Sequence, residues 1–189
     1  MDRKELIRRS VGGGLSTSRI AMRLFILSPT AAFEGDEEEE FSIIEEISEF
    51  ASVSVRSIHA CGSAKLGFSP RKNTDFRKGE SDLDVAIIDA DFFTRMMDGM
   101  IVATNRYKDL SGFAQGSYST FSKYLAKGIF RPDLMPECDL KRKWVGFFDD
   151  LSRRNQSRFD KVSAFVYLSD SAFRMKQSES MDEYAKEFL

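Results

Sequence analysis

The chain has 189 residues, of which 42% are hydrophobic, and it carries 28 Lys and Arg residues against 30 Asp and Glu residues. The length predicts one domain with a sizeable core, and the apolar fraction excludes a wholly disordered chain. The near balance of charge argues against bulk attachment to duplex nucleic acid or anionic lipid, but it leaves room for a local basic site.

Cysteine and histidine content narrows the class of protein further. Two cysteines, Cys61 and Cys138, are too few for a disulfide framework, and a single histidine leaves no ordinary zinc site. The apolar run at 20–27 is interrupted by Arg23, is too short to cross a bilayer, and lacks the features of a signal peptide. We therefore expect a soluble, cytoplasmic protein without a membrane span.

The N-terminal quarter of the chain predicts helices. Residues 16–18 can cap a short helix that ends near Leu27. The three glycines at 12–14 suggest a phosphate-binding loop, but no Gly-Lys-Ser/Thr follows them, which favours a flexible turn. Six acidic residues within 34–40 precede apolar residues at helical spacing from Phe41 onward, which predicts an amphipathic helix with an acidic first turn.

The next segments predict strands separated by a basic loop. Alternation of apolar and polar residues predicts a strand over 53–61 that runs into Gly62-Ser63, followed by a short helix. The polar stretch 71–80 predicts an exposed loop with four basic residues, and 81–89, SDLDVAIID, predicts a second strand. As a group, the basic residues of the loop can neutralise a triphosphate or bind an acceptor strand, whereas for each residue alone a hydrated loop position without a role is the more common case. These residues are Arg71, Lys72, Arg77 and Lys78.

The C-terminal half predicts a mixture of helices and one strand. Helical spacing marks residues 90–104 and 118–127, and 144–151 is apolar and amphipathic. Residues 161–168, KVSAFVYL, predict a third strand, and the tail at 177–189 predicts a short helix.

Two carboxylates at the start of the second predicted strand point to metal chemistry. Alternate residues of a strand project to the same face, so Asp82 and Asp84 lie side by side while Leu83 turns into the core. Such oxygen ligands can hold Mg²⁺, or two ions about 4 Å apart that clamp the attacking and leaving oxygens. Gly62 lets the backbone approach a triphosphate, and Ser63 offers a hydroxyl group and amides at a helix start. The Gly62-Ser63 turn followed along the chain by the Asp82 and Asp84 carboxylates therefore predicts a phosphoryl-transfer site.

These motifs also carry a resemblance. GSAKLG at 62–67, followed by SDLDVAII at 81–88, resembles the hG[GS]-x-x-x-G and [DE]-h-[DE]-h motifs of the polymerase-β-like nucleotidyltransferases. That superfamily includes minimal nucleotidyltransferases, CCA-adding enzymes, aminoglycoside nucleotidyltransferases and bacterial oligonucleotide synthases of antiphage defence. The resemblance implies an α+β fold, in which a small mixed or antiparallel sheet is flanked by helices. We expect one nucleotidyltransferase domain over 1–189, with its core at about 41–168, an N-terminal helical segment and a C-terminal helical tail.

The resemblance further implies an activity. Mg²⁺ or Mn²⁺ is held by Asp82 and Asp84, and an acceptor hydroxyl on an oligonucleotide, a tRNA or a protein attacks the α-phosphorus of an NTP or dNTP while pyrophosphate leaves. It also suggests a role in antiphage defence or a toxin–antitoxin system, with a partner protein encoded nearby. The residues expected to bind the nucleotide are Gly62, Ser63, Lys65, Gly67, Arg71, Lys72 and Ser81.

A third catalytic carboxylate is harder to place. Members of the superfamily often carry one on a later strand, but in the predicted strand 161–168 Ser163 or Phe165 occupies the expected positions. Asp160, just before that strand, is the candidate catalytic residue. The alternatives are Asp150, Asp139 and Asp89. If none serves, the alternative function is a degenerate nucleotidyltransferase fold that acts as a nucleotide sensor, an antitoxin or a partner subunit.

Other residues carry weaker hypotheses. A second basic region around Trp144 predicts either an oligonucleotide-binding face with a stacking platform or, more often, a core Trp with charges at its rim. His59 can act as a base but is more typical of a structural strand residue. The tail offers hydroxyl groups that can serve as acceptors of self-nucleotidylation or as primers for polymerisation, on Ser178, Ser180 and Tyr184. The second basic region consists of Lys141, Arg142, Lys143, Arg153, Arg154 and Arg158.

Overall fold

A computed structural model describes residues 2–189, in which eight α-helices surround one four-stranded sheet. The strands are β1 (Ile58–Cys61), β2 (Leu83–Ile88), β3 (Ile129–Phe130) and β4 (Val162–Tyr167). The helices are α1 (Arg3–Gly12), α2 (Thr17–Met22), α3 (Glu37–Ala51), α4 (Gly62–Leu66), α5 (Ala90–Ala103), α6 (Ser117–Ala126), α7 (Asp139–Arg154) and α8 (Asp170–Phe188). None of these helices combines the length and the apolar composition that a bilayer crossing requires.

The sheet is mixed, which confirms the expected α+β architecture at this level. Its strand order is β1-β2-β4-β3, with β2 and β4 parallel and the two outer pairs antiparallel. The register places Asp84 of β2 opposite Cys61 of β1 on one side and opposite Ser163 of β4 on the other. The central position of β2 therefore determines which residues surround Asp84.

One face of the sheet, called the closed face below, is buried under helices α3, α5 and α7. Residues Leu83, Val85 and Ile87 of β2 point to this side and are no more than 5% exposed. Each covering helix repeats its buried residues at intervals of three or four positions, which directs one stripe of the helix onto the sheet. These helical residues include Ile43 and Ile47; Phe92, Met96 and Met100; and Trp144, Phe148 and Leu151.

The opposite face, called the open face, is only partly covered. Helices α1, α2 and α8 pack over its apolar part, where Ile20, Phe25 and Phe173 are buried. The N-terminal segment and the tail, which lie outside the predicted core at 41–168, therefore supply the second helical layer. Asp84, at the beginning of β2 on this face, remains exposed.

Several predicted boundaries are wrong for local reasons. The strand predicted over 53–61 begins only at Ile58, because Ser54 Oγ accepts a hydrogen bond from the Arg56 amide and starts a 3₁₀ turn. The tail helix begins at Asp170 rather than 177, since Ser169 caps it by accepting from the Ala172 amide at 3.2 Å. The two-residue strand β3 is not predicted at all, and the apolar segment 144–151 is the middle of the longer helix α7.

Candidate functional site

A cavity of about 350 Å³ opens where β1 passes into α4 and where β2 begins. It is called the first cavity below. The two sequence motifs and the basic loop, separate in the chain, meet around it. The predicted site residues that line it are Gly62, Ser63, Arg71, Lys72, Ser81, Asp82 and Asp84.

Gly62 and Asp84 are in direct contact. Gly62 has a backbone φ of +59°, in the left-handed region, and a Cβ atom built on it would lie 2.6 Å from Asp84 Oδ2. Only glycine tolerates both the backbone conformation and the approach of the carboxylate. Its place in the motif is therefore explained by geometry: the turn between β1 and α4 closes directly against the carboxylate of β2.

Asp82 and Asp84 project on the same side of their segment, as strand alternation predicts. Desolvation by the surrounding protein and the negative charge of Asp82 raise the pKa of Asp84. A hydrogen bond that Ser163 Oγ donates to Asp84 Oδ1 at 3.2 Å has a smaller, opposite effect. Desolvation and the charge of Asp160 raise the pKa of Asp82, while Lys161 lowers it. Like charges are thus held together at an electrostatic cost that a divalent cation would remove.

The donor set fits Mg²⁺ bound together with a nucleotide better than it fits a metal held by protein alone. No three His, Cys, Asp or Glu side chains within residues 2–189 come together as a metal-binding group. Mg²⁺ is usually held by one or two carboxylates, with waters and substrate phosphates completing its shell. Asp82 and Asp84, facing one cavity, meet that requirement.

The basic loop presents positive charge at the mouth of the first cavity. Backbone hydrogen bonds from Asn73 N to Ser69 O (2.7 Å) and from Ser69 N to Thr74 O (2.8 Å) close the loop. Arg71 and Lys72 lie at its tip, where both are exposed and neither forms a salt bridge with any described residue. These two cations remain available to an anionic ligand.

Asp75, which also lines the first cavity, carries a charge that is already compensated. Lys4 of α1 donates to its Oδ1 at 2.8 Å, and this interaction lowers the pKa of Asp75. The arginine and lysine of the second half of the loop do not line the cavity. Arg77 pairs with Glu80 at 3.3 Å. Lys78 adds a small contribution to the lowered pKa of Asp36, which is due mainly to the hydrogen bond and charge of Arg158.

Lys65 and Gly67, which the sequence predicts to bind the nucleotide, do not line the first cavity. Lys65 is 6% exposed and its Nζ donates to the Ser28 carbonyl at 2.7 Å, on the side of α4 away from the cavity. Burial lowers the pKa of Lys65. Gly67 ends α4 with a φ of +79°, and its amide donates to the Ser63 carbonyl at 2.8 Å. Both residues stabilise α4, the helix that carries Ser63.

None of the four candidates for a third carboxylate lines either of the cavities that Asp84 borders. Asp160 is close enough to Asp82 to raise its pKa, and its backbone amide donates to Ser81 O at 3.1 Å, but its side chain lines no cavity beside Asp84. Asp89 caps α5 by accepting from the Phe92 amide at 2.8 Å. The remaining two, Asp139 and Asp150, form ion pairs with Arg142 and Arg153 along α7.

The second basic region belongs to the core and its rim. Trp144 is 6% exposed and packs against Phe148 with a centroid distance of 4.7 Å, so the core interpretation is confirmed and the Trp144 ring is not available as a stacking platform. Most of the surrounding cations are already paired, which reduces the positive field available to an oligonucleotide. The pairs are Lys141 with Glu137, Arg142 with Asp139, Arg153 with Asp150, Arg154 with Glu46, and Arg158 with Asp36 and Glu39.

His59 has a structural environment. It lies on β1 beside the Phe173 ring, with a centroid distance of 6.2 Å, and it lines neither cavity beside Asp84. Desolvation and the charge of Lys65 lower the pKa of His59, which favours the neutral ring. The neutral ring is the form that can act as a base, but His59 lies outside both cavities, so its position gives no support to that role.

A second cavity of about 320 Å³ adjoins the first along the open face. Four residues line both cavities, namely Gly62, Asp84, Gln177 and Ser180. Sequence analysis does not anticipate Gln177, because no local motif marks a helix residue that reaches a distant strand. Ser163, Phe165 and Lys176 line the second cavity alone.

Comparison of the chain with known protein families, curated proteins and solved structures returns no significant match. Functional inference therefore depends on the geometry of the two cavities and on the motif pair that meets between them.

Proposed function

We propose that this protein is a metal-dependent nucleotidyltransferase with a polymerase-β-like core, which transfers a nucleoside monophosphate from an NTP or dNTP to a hydroxyl acceptor and releases pyrophosphate. The observation that carries the proposal is the contact between Gly62 and the Asp84 carboxylate. It brings the Gly-Ser turn, the two aspartates and two unpaired cations to one cavity, as a nucleoside triphosphate with a divalent cation requires.

Each part of the first cavity has a task in this proposal. Asp82 and Asp84 would hold Mg²⁺ or Mn²⁺, which when bound neutralises phosphate charge and polarises the phosphoryl group. Arg71 and Lys72 bind the triphosphate and stabilise the charge that develops on the departing pyrophosphate. Ser63, on the first turn of α4, lies where its hydroxyl group can donate to a phosphate oxygen.

Two cavities on either side of Asp84 suit a reaction between two substrates. The first cavity, with Arg71 and Lys72 at its mouth, takes the triphosphate. The second cavity, lined by Ser163, Phe165 and Lys176, takes the acceptor. Asp84 borders both, so the acceptor hydroxyl and the α-phosphorus meet at this carboxylate.

The decisive experiment measures pyrophosphate release from each of the eight common nucleoside triphosphates with Mg²⁺ or Mn²⁺ and with DNA, RNA and tRNA as acceptors. We expect release with at least one pair of substrates, and a loss of at least about 1000-fold in the double variant Asp82→Asn, Asp84→Asn. Asp149→Asn, on the exposed surface of α7, is the matched control and should leave release unchanged. Equal rates in the double variant and the parent would contradict the proposal.

A catalytically degenerate fold that senses nucleotides is the second candidate. It is favoured by the position of Ser163, which stands directly opposite Asp84 on β4 where a third carboxylate would be expected. The two candidates differ in the effect of Ser163→Asp. If two carboxylates suffice for activity, Ser163→Asp changes the rate of pyrophosphate release by no more than a few fold. If the fold is degenerate, the parent binds nucleotides without releasing pyrophosphate, and Ser163→Asp restores the release.

A further inference from the structure

Helix α8 crosses the open face and brings the C-terminal part of the chain to the candidate site. Ser180 and Gln177, one helical turn apart, line both the first and the second cavity. Asp84 lines the same two cavities, so Ser180 lies at the boundary where the triphosphate and the acceptor are expected to meet.

The three hydroxyl groups of the tail have different environments. Ser178 Oγ donates to the Arg174 carbonyl at 2.7 Å, and Ser178 lines neither cavity. Tyr184 is 2% exposed and packs against Phe68 with a centroid distance of 5.2 Å. Ser180 is half-buried, and the structure gives its hydroxyl group no hydrogen-bond partner among residues 2–189.

Packing holds Ser180 in position. The neighbouring residue Met181 is 1% exposed, Gln177 on the preceding turn is 7% exposed, and Tyr184 on the following turn is also buried. Because apolar contacts on both sides of Ser180 anchor α8 to the open face, the hydroxyl group is presented to the cavities by a rigid helix rather than by a loose terminus.

We propose that Ser180 is an internal acceptor, and that the protein nucleotidylates itself at this residue. This inference rests on the proposed function. Ser180 Oγ attacks the α-phosphorus of the bound nucleoside triphosphate, and a new Oγ–P bond forms. The bond from the α-phosphorus to the oxygen that bridges it to the β-phosphorus breaks, pyrophosphate leaves with the electron pair, and the hydroxyl proton passes to solvent.

The position of Ser180 has a consequence for turnover. A nucleoside monophosphate attached to Ser180 Oγ stays between the two cavities, because the helix that carries it is anchored. The adduct therefore occupies the space that an external acceptor would need. We expect one adduct per chain and a reaction that stops after one turnover when no external acceptor is present.

Intact mass spectrometry with peptide mapping tests the inference. The full chain is incubated with each nucleoside triphosphate and Mg²⁺ or Mn²⁺, with no other acceptor. We expect one nucleoside monophosphate adduct, mapped to Ser180, in the parent and in the matched control Ser178→Ala. The adduct disappears in Ser180→Ala, whose fold is verified by its unfolding temperature, and returns in Ser180→Thr.

The contrary results separate this inference from the proposed function. If pyrophosphate is released onto an oligonucleotide or tRNA while the chain itself stays unmodified, internal transfer to Ser180 is overturned and the proposed function stands. An adduct that persists in Ser180→Ala, or that maps to another residue, also overturns it. If no condition yields pyrophosphate, both the inference and the proposed function fail.

Discussion

The two faces of the sheet use the same strand in opposite ways. On the closed face, Leu83, Val85 and Ile87 of β2 are buried under three helices, and no polar side chain of β2 interrupts them. On the open face, the same strand presents Asp84, which is exposed and borders two cavities. A strand with period-two alternation can stabilise the fold with one set of residues while it positions reactive groups with the other.

This difference separates stability from chemistry. Residues of the closed face contribute through buried apolar area, so their loss should lower the free energy of unfolding. Open-face residues near Asp84 contribute little buried apolar area and carry charge that folding brings together at a cost. Substitutions on the closed face should therefore lower the free energy of unfolding, whereas substitutions on the open face near Asp84 should change activity.

The largest expected effect comes from the closed face. Trp144→Ala removes a ring that is 6% exposed and packed between Phe92 and Phe148, and should cost about 3–5 kcal/mol of unfolding free energy. Chemical denaturation measures this loss. Val102→Ala on α5, where the side chain is 81% exposed, is the matched control and should change stability by less than about 0.5 kcal/mol.

Pyrophosphate release by folded Trp144→Ala, measured well below its unfolding temperature, should stay within about two-fold of the parent rate because Trp144 lines neither cavity. A large loss of activity in the folded variant would show that the closed face positions the site as well as stabilising the fold.

The next effect belongs to the open face. In Gly62→Ala the new Cβ lies 2.6 Å from Asp84 Oδ2, so the carboxylate or the turn must move. A displacement of about 1 Å at a reacting group is expected to lower kcat/KM on the order of 100-fold.

Gly146→Ala is the matched control, because Gly146 lies inside α7 and a Cβ added there meets no atom within 4 Å. Its activity should be unchanged, and its free energy of unfolding should be about 0.5–1 kcal/mol higher. Equal activity of Gly62→Ala and the parent would refute the required contact.

The sequence predicts the parts of the site that depend on local chemistry. Gly62, Ser63, Asp82 and Asp84 are found where strand alternation and the Gly-Ser turn place them. The cluster of Arg71 and Lys72 also follows from sequence, because a polar loop between two site motifs must end near both. At these positions the local pattern and the final geometry agree.

Residues whose place depends on long-range packing are not predicted. Lys65 lies within the motif but points away from the cavity, because α4 has only five residues and its buried side faces the Ser28 carbonyl. The sequence offers Ser180 only as one of three tail hydroxyl groups and does not mark Gln177 at all; both reach the site because α8 packs on the open face. The strand predicted over 53–61 shortens because a side-chain hydrogen bond at Ser54 competes with the ladder.

The smallest expected effect is a change in melting temperature caused by the negative charge of Asp84 on the open face. The folded-state pKa of Asp84 is raised, so its ionised form opposes folding, and the penalty appears as the pH rises above the ordinary aspartate value of about 3.9. Without divalent cations, Asp84→Asn should therefore melt higher than the parent at neutral pH, by on the order of 2 °C, and the difference should vanish near pH 4.

Scanning fluorimetry in EDTA across this pH range measures the difference between Asp84→Asn and the parent, and Asp149→Asn on the surface of α7 serves as the control for removal of one negative charge. Added Mg²⁺ should then raise the melting temperature of the parent more than that of Asp84→Asn, because the cation relieves the repulsion between Asp82 and Asp84. A parent that is more stable than Asp84→Asn in EDTA at neutral pH would mean that the carboxylate is compensated within the protein, and the open face would then need no cation to tolerate its charge.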